Sequence, residues 1–164
     1  MKATHKKNAK VASRPKNRRQ EDRKPARPPS AARRQVAALP FRRTATGDIE
    51  ILLVTSRESG RFIIPKGWPM KRLDDADAAA KEAYEEAGVV GKVKRKSIGD
   101  YIYWKRFERS FELLKVDVYA LEVRQQRADW PEKNARKSGW LSKEEAAKRV
   151  DEPGLVALLK EFAG

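Results

Sequence analysis

An α+β domain with a mixed sheet held between helices is the fold this sequence predicts, and three observations predict it. Short runs rich in β-branched and aromatic residues recur from residue 35 to about residue 125. A single alanine-rich helical stretch interrupts them, and two further helical patterns close the chain. Strands and helices mixed in this way over residues 35–164 bury their sheet by covering both of its faces.

The elements follow in order. "QVAALPF" and "IEILLVTS" read as two strands joined by the turn "TATGD", and "RFIIP" as a third strand after "ESG". The alanine-rich segment 74–88 comes next as a helix. "KVKRKSIGDYIYWKRF" and "FELLKVDVYALEV" then form a long hairpin. In its second arm Leu114, Val116, Val118 and Ala120 alternate with Lys115, Asp117 and Tyr119, the period of a strand with one face on the core. "DWPEKNARKSGWLS" is a loop leading to a short strand at Trp140. Trp130 and Trp140 are expected as core anchors. Ser142 with Glu145 three residues on makes a capping box for "SKEEAAKRV". "PGLVALLKEFAG" closes the chain as a helix with Leu155, Leu158, Leu159 and Phe162 on its apolar stripe.

The first 34 residues differ in kind. They hold 13 Lys or Arg against Glu21 and Asp22, together with four prolines and no aromatic residue. Too little apolar surface is present to offset the entropy of ordering them, so they are expected as a disordered basic tail preceding a domain over 35–164. Such a tail binds nucleic acid or another polyanion non-specifically, by counterion release. The chain's formal net charge of +15 comes mainly from this segment.

Composition narrows the chemistry. Cysteine is absent and His5 is the sole histidine, which excludes disulfides, thiolate metal sites and Ser-His or Cys-His catalysis in the domain. No apolar run is long enough to span a membrane, and no signal-peptide core opens the chain. A cytoplasmic location and no membrane partner are expected. Carboxylates, basic side chains or a metal must do any catalysis.

Within segment 74–88, Asp74 or Asp75 can cap the helix and Gly88 can end it. Ala76, Ala80, Ala83 and Ala87 fall within one arc, narrow enough to lie close to a sheet. Glu82, Glu85 and Glu86, at i, i+3 and i+4, are placed together away from that arc. Their mutual repulsion weakens a bare helix, and a divalent cation would turn it into binding. Oxygen donors alone favour magnesium or manganese. The preceding "IIPKGW" brings an apolar strand to a turn at Gly67, where Lys66 can reach a phosphate.

From Gly67 to Val89 these residues resemble the Nudix hydrolase signature, with Gly67, Glu82, Glu85, Glu86, Gly88 and Val89 in frame without insertion. Two positions depart from it: Leu73 stands where the family has glutamate, and Lys81 where it has arginine. Asp74 or Asp75 is the expected substitute partner for Lys81. The flanking "ILLVTSRESGRFIIPKG" and "DWPE…ARKSGW" are similar to the subgroup acting on diphosphoinositol and dinucleoside polyphosphates.

This resemblance implies a Nudix-type α/β/α sandwich and metal-dependent hydrolysis of a phosphoanhydride in a nucleoside-diphosphate-linked or polyphosphorylated small molecule. It further implies Glu82, Glu85, Glu86 and the Gly67 carbonyl as ligands of Mg2+ or Mn2+, with Glu85 a ligand or the acceptor of the water's proton. An acid outside the box is the alternative base, with Glu108 and Glu112 as candidates. The residues implied to bind the polyphosphate are Arg42, Ser56, Arg57, Arg61, Lys66, Arg136 and Lys137. The alternative is a non-catalytic Nudix-like domain that holds RNA or another polyanion through its tail.

Overall fold

The computed structural model describes residues 33–164. The tail expected over 1–34 lies outside them except at its end, and there the boundary moves. Arg33 and Arg34 open the first strand, β1 (Arg33–Arg43), instead of closing a tail.

Strands β2 (Ile49–Thr55), β3 (Phe62–Ile63) and β4 (Lys66–Gly67) precede helix α1 (Asp75–Ala87). Strands β5 (Val89–Val93), β6 (Gly99–Arg106), β7 (Phe111–Gln126) and β8 (Ser138–Ser142) follow it. Helices α2 (Lys143–Arg149) and α3 (Pro153–Glu161) complete the chain. All eight strands belong to one mixed sheet, ordered β3-β2-β1-β7-β5, with β4 on β1, β6 on β7 and β8 on β2. The central pair, β1 with β7, is parallel from Arg33↔Leu114 to Phe41↔Glu122, and the others are antiparallel.

One face of the sheet packs Leu39, Phe41, Leu53 and Val116 against Ala146, Ala147, Leu155 and Leu159 of α2 and α3. The other packs Val36, Ala38, Leu52 and Leu121 against the alanines of α1. The expected helix–sheet–helix layering is what forms. Leu155 and Leu159 of the closing helix are fully buried, Leu158 is half-buried, and Phe162 packs on Phe41 just past the helix end.

Two elements differ from the sequence reading. The long first arm of the expected hairpin is two strands, β5 and β6, which pair with opposite halves of β7. Gly99, at φ +146, marks the start of β6. The segment at Lys66–Gly67 is also a strand. It is inserted against the N-terminal half of β1 with Val36↔Gly67 and Ala37↔Lys66 in register. β2 pairs β1 only from Phe41 onward, so the two strands diverge and leave this space for β4. The splay puts Gly67 beside α1.

Candidate active site

Helix α1 places the carboxylates. Asp74 caps it by accepting from the Asp77 N–H at 2.9 Å, and Gly88 ends it in the left-handed conformation at φ +68. At about 100° per residue, Glu86 lies next to Ala79 and Ala83 at the edge of the buried arc. It is itself buried, together with Ala76, Ala78, Ala79, Ala83 and Ala87. The expected grouping is corrected in two ways: Ala80 is only half-buried, and the three glutamates do not share a solvent face.

Each glutamate has its own surroundings. Glu86 Oε1 accepts from Arg136 Nη2 at 2.7 Å, while Glu86 Oε2 is buried with no hydrogen-bond partner among the described residues. Burial pushes the Glu86 carboxyl up to about 7, against the pull of Arg136 and Lys66. Glu82 is half-buried, and burial followed by the charge of Glu85 raises it too. Glu85 bonds Lys81, one turn before it.

Lys81 is therefore not braced by Asp74 or Asp75, as the sequence reading expected. Asp74 pairs with Arg95 at 2.7 Å, and Asp75 takes a two-pronged bond from Arg34 at 2.6 and 3.0 Å. Leu73, free of any charge partner to serve, is exposed.

Gly67 faces this helix at close range. A Cβ built there would stand 2.1 Å from Glu82 Oε1, so only glycine leaves room for the Glu82 carboxylate in its present place. Arg136 fixes the other side. Its Nε donates to Glu132 at 2.6 Å and its Nη1 to the Thr55 carbonyl at 2.8 Å, in addition to its bond to Glu86. A guanidinium with all three nitrogens committed is a positioning group.

These residues line a cavity of about 560 Å3. Ser56, Arg57, Arg61, Lys66, Gly67, Glu82, Glu86 and Arg136, all named from the sequence, meet there. Burial depresses the Lys66 ammonium, partly restored by Glu86, and its Nζ sits 5.0 Å from the centre of the Tyr103 ring. Arg57 stands 3.7 Å from Glu132, and Arg61 bonds Asp151 at 3.1 Å.

Five expected residues do not line the cavity. Arg42 pairs with Glu50 at 2.7 Å and stacks on Trp140, at the other end of β1. Lys137 is exposed, and its backbone bonds Thr55. Glu85 is turned to Lys81, and Glu112 pairs with Arg33. Glu108 lies in the turn between β6 and β7, also outside the lining.

Sequence reasoning missed Gln35, Tyr103, Lys105, Glu132 and Glu152, which join the lining through long-range packing and carry no local motif. Tyr103 donates to Gln35 Oε1 at 2.7 Å, and burial with the charge of Glu152 pushes its hydroxyl up to about 12. Trp130, expected as a core anchor, has its ring packed on Gly88, where a Cβ would come within 2.5 Å of it.

No three acidic side chains converge into a ready cage among the described residues. The donors nonetheless suit a hard divalent ion. An orphaned buried oxygen of Glu86, the Glu82 carboxylate held over Gly67 and the glycine backbone supply oxygen only. Magnesium is commonly held by one or two carboxylates, with water and substrate phosphate filling the remaining positions.

No family model matches the chain. Among curated proteins it is similar to the mitochondrial Nudix hydrolase 16 of Arabidopsis thaliana, 34% identical over 117 residues, covering 69% of this chain and 64% of that protein. It is also similar to human diphosphoinositol polyphosphate phosphohydrolase 3-beta, 33% identical over 123 residues, covering 73% of this chain and 70% of the relative. Among solved structures, a Caenorhabditis elegans Ap4A hydrolase superposes with a TM-score of 0.58, at 21% identity over 80% of this chain and 96% of that one. The NUDIX domain of Shewanella oneidensis NrtR, crystallised with ADP ribose, gives 0.53 at 16% identity over 80% and 88%. At these identities the two structures establish the fold alone.

Proposed function

This chain belongs to the Nudix hydrolase family, and from that premise we propose that it hydrolyses a phosphoanhydride bond in a nucleoside-diphosphate-linked or polyphosphorylated small molecule, using Mg2+ or Mn2+. The observation that carries the reading is the meeting of two α1 carboxylates, one with a buried oxygen unpartnered among the described residues, with basic side chains in one cavity.

Glu86, Glu82 and the Gly67 backbone would hold the ion. Bound there, it would neutralise phosphate charge and acidify a coordinated water. The remaining roles fall to the chain. Arg136 holds the Glu86 carboxylate in place through Oε1 and leaves Oε2 free. Lys66 and Arg57, both lining the cavity, supply positive charge where the phosphate oxygens would lie. Glu85, engaged by Lys81 outside the cavity, is poorly placed to accept a proton from a water attacking within it. Residence in the cytoplasm belongs to the same proposal.

A panel of phosphoanhydrides assayed with magnesium and then manganese tests it. Turnover of at least one compound should stop with chelator and fall at least a hundredfold in Glu86→Gln, the scale on which enzymes lose rate when a charge-stabilising group is removed. Undiminished turnover in that variant would refute the site.

A further inference from the structure

Glu152 is the buried acidic residue of the cavity that this mechanism leaves unused; Glu58, the other, is exposed. Its side chain is only 10% exposed, and its Oε2 is buried with no hydrogen-bond partner among the described residues. Oε1 lies 3.9 Å from Arg61 Nη2, too far for a hydrogen bond, and Arg61 is instead bonded through Nη1 to Asp151 at 3.1 Å.

The position makes this isolation notable. Glu152 is the N-cap residue of α3, where unpaired backbone N–H groups are the natural partners of a carboxylate, yet its side chain makes no capping bond. It lines the cavity instead. α3 cannot easily shift to relieve it, since a Cβ at Gly154 would already meet Tyr101 of β6 at 2.7 Å. A buried carboxylate oxygen with no hydrogen-bond donor is costly, and a donor entering the cavity would relieve it.

The chemistry of that partner follows from the charge. An acceptor-only carboxylate takes an N–H or O–H donor and repels phosphate. Arg57, Lys66 and Lys105 line the same cavity and suit phosphate oxygens, which Glu152 does not. We propose that Glu152 recognises a donor group, an exocyclic amine or a sugar hydroxyl, on the uncharged portion of the substrate. It therefore selects a nucleoside-linked pyrophosphate over one carried on a ring covered with phosphates. This rests on the pyrophosphohydrolase reading and sharpens its substrate class.

The test uses the full chain as wild type, Glu152→Ala, Glu152→Gln and, as a charge control at the exposed end of the same helix, Glu161→Gln. Each is assayed on a diadenosine polyphosphate and on a diphosphoinositol polyphosphate. Wild type should prefer the dinucleotide. Glu152→Ala should raise its KM about tenfold with kcat within a factor of two, as loss of one hydrogen bond to a charged group does. Glu152→Gln should improve use of the inositol compound, and Glu161→Gln should move neither preference.

Analogues lacking the purine amine or the 3′-hydroxyl identify the donor. The Glu152→Ala penalty should vanish for the one without it, and a penalty that survives on both overturns the donor assignment. Wild-type preference for the inositol compound overturns the proposal. So does an unchanged dinucleotide KM in both Glu152 variants, or an equal loss of kcat on every substrate, which would mark a structural role. If wild type cleaves neither compound, the pyrophosphohydrolase reading fails on its own. Calorimetric affinity for ADP still decides the Glu152 proposal: a tenfold loss in Glu152→Ala supports recognition, and no loss overturns it.

Discussion

At the scale of single residues, the site depends on atoms that leave space and atoms that lock direction. Gly67 does the first. A Cβ there meets the far end of the Glu82 side chain, which can swing aside, so Gly67→Ala should fold with a thermal midpoint within a few degrees of wild type. The displaced carboxylate should nonetheless cost about tenfold or more in turnover, as misplacing a reacting group by about an ångström does; unimpaired kinetics would show that the close approach has no catalytic use. Arg136 does the second. Lysine carries the charge but cannot span Glu86, Glu132 and the Thr55 carbonyl together. Arg136→Lys should lower activity by about 10–100-fold, the usual effect of removing a group that orients a metal-binding side chain. Steady-state kinetics at saturating magnesium would reveal it.

Elements are joined by charge as well as by packing. Arg34 at the start of β1 reaches Asp75 at the start of α1 and Asp117 of β7, and Lys115 adds a second bond to Asp117. Burial acts to raise the Asp117 carboxyl, but the hydrogen bonds from Arg34 and Lys115 outweigh it and hold it below its ordinary value. The native carboxyl thus binds its proton less tightly than the unfolded one. Its stabilisation is complete above about pH 4 and is lost as the pH falls through the native value. In urea unfolding, wild type should exceed Asp117→Asn by about 1 kcal/mol from pH 7 to 5, with the gap closing below about pH 4. A gap that widened in acid would contradict this. The same network bears on Arg33 and Arg34. Charge alone assigns Arg33 and Arg34 to a solvated arm, whereas their ladder with Leu114 and Lys115 makes them part of the sheet.

For the whole molecule, the carboxylates of α1 are a burden that a bound cation would relieve. Glu86 keeps a buried oxygen unpartnered among the described residues, so magnesium should bind the folded chain and stabilise it, by about 2.7 kcal/mol at a hundredfold excess over Kd. A magnesium titration followed by thermal unfolding should raise the wild-type midpoint and leave that of Glu86→Gln nearly unmoved. Equal shifts in both would place the ion elsewhere.

The sequence by itself determined the layering, the helix and its closing Gly88 cap, and the meeting of Gly67, Glu82 and Glu86 at one cavity. Each follows from a period or a spacing that local geometry enforces. Only the tertiary structure decided that Glu85 turns away to Lys81, that Arg42 and Lys137 stand outside the cavity, and that Gln35, Tyr103, Glu132 and Glu152 stand inside it. The reason is physical. A helix's period fixes direction around its own axis to within a residue. Which side chains meet across the splayed strands β1 and β2 depends on pairings between segments far apart in the chain, and no short stretch of sequence records those.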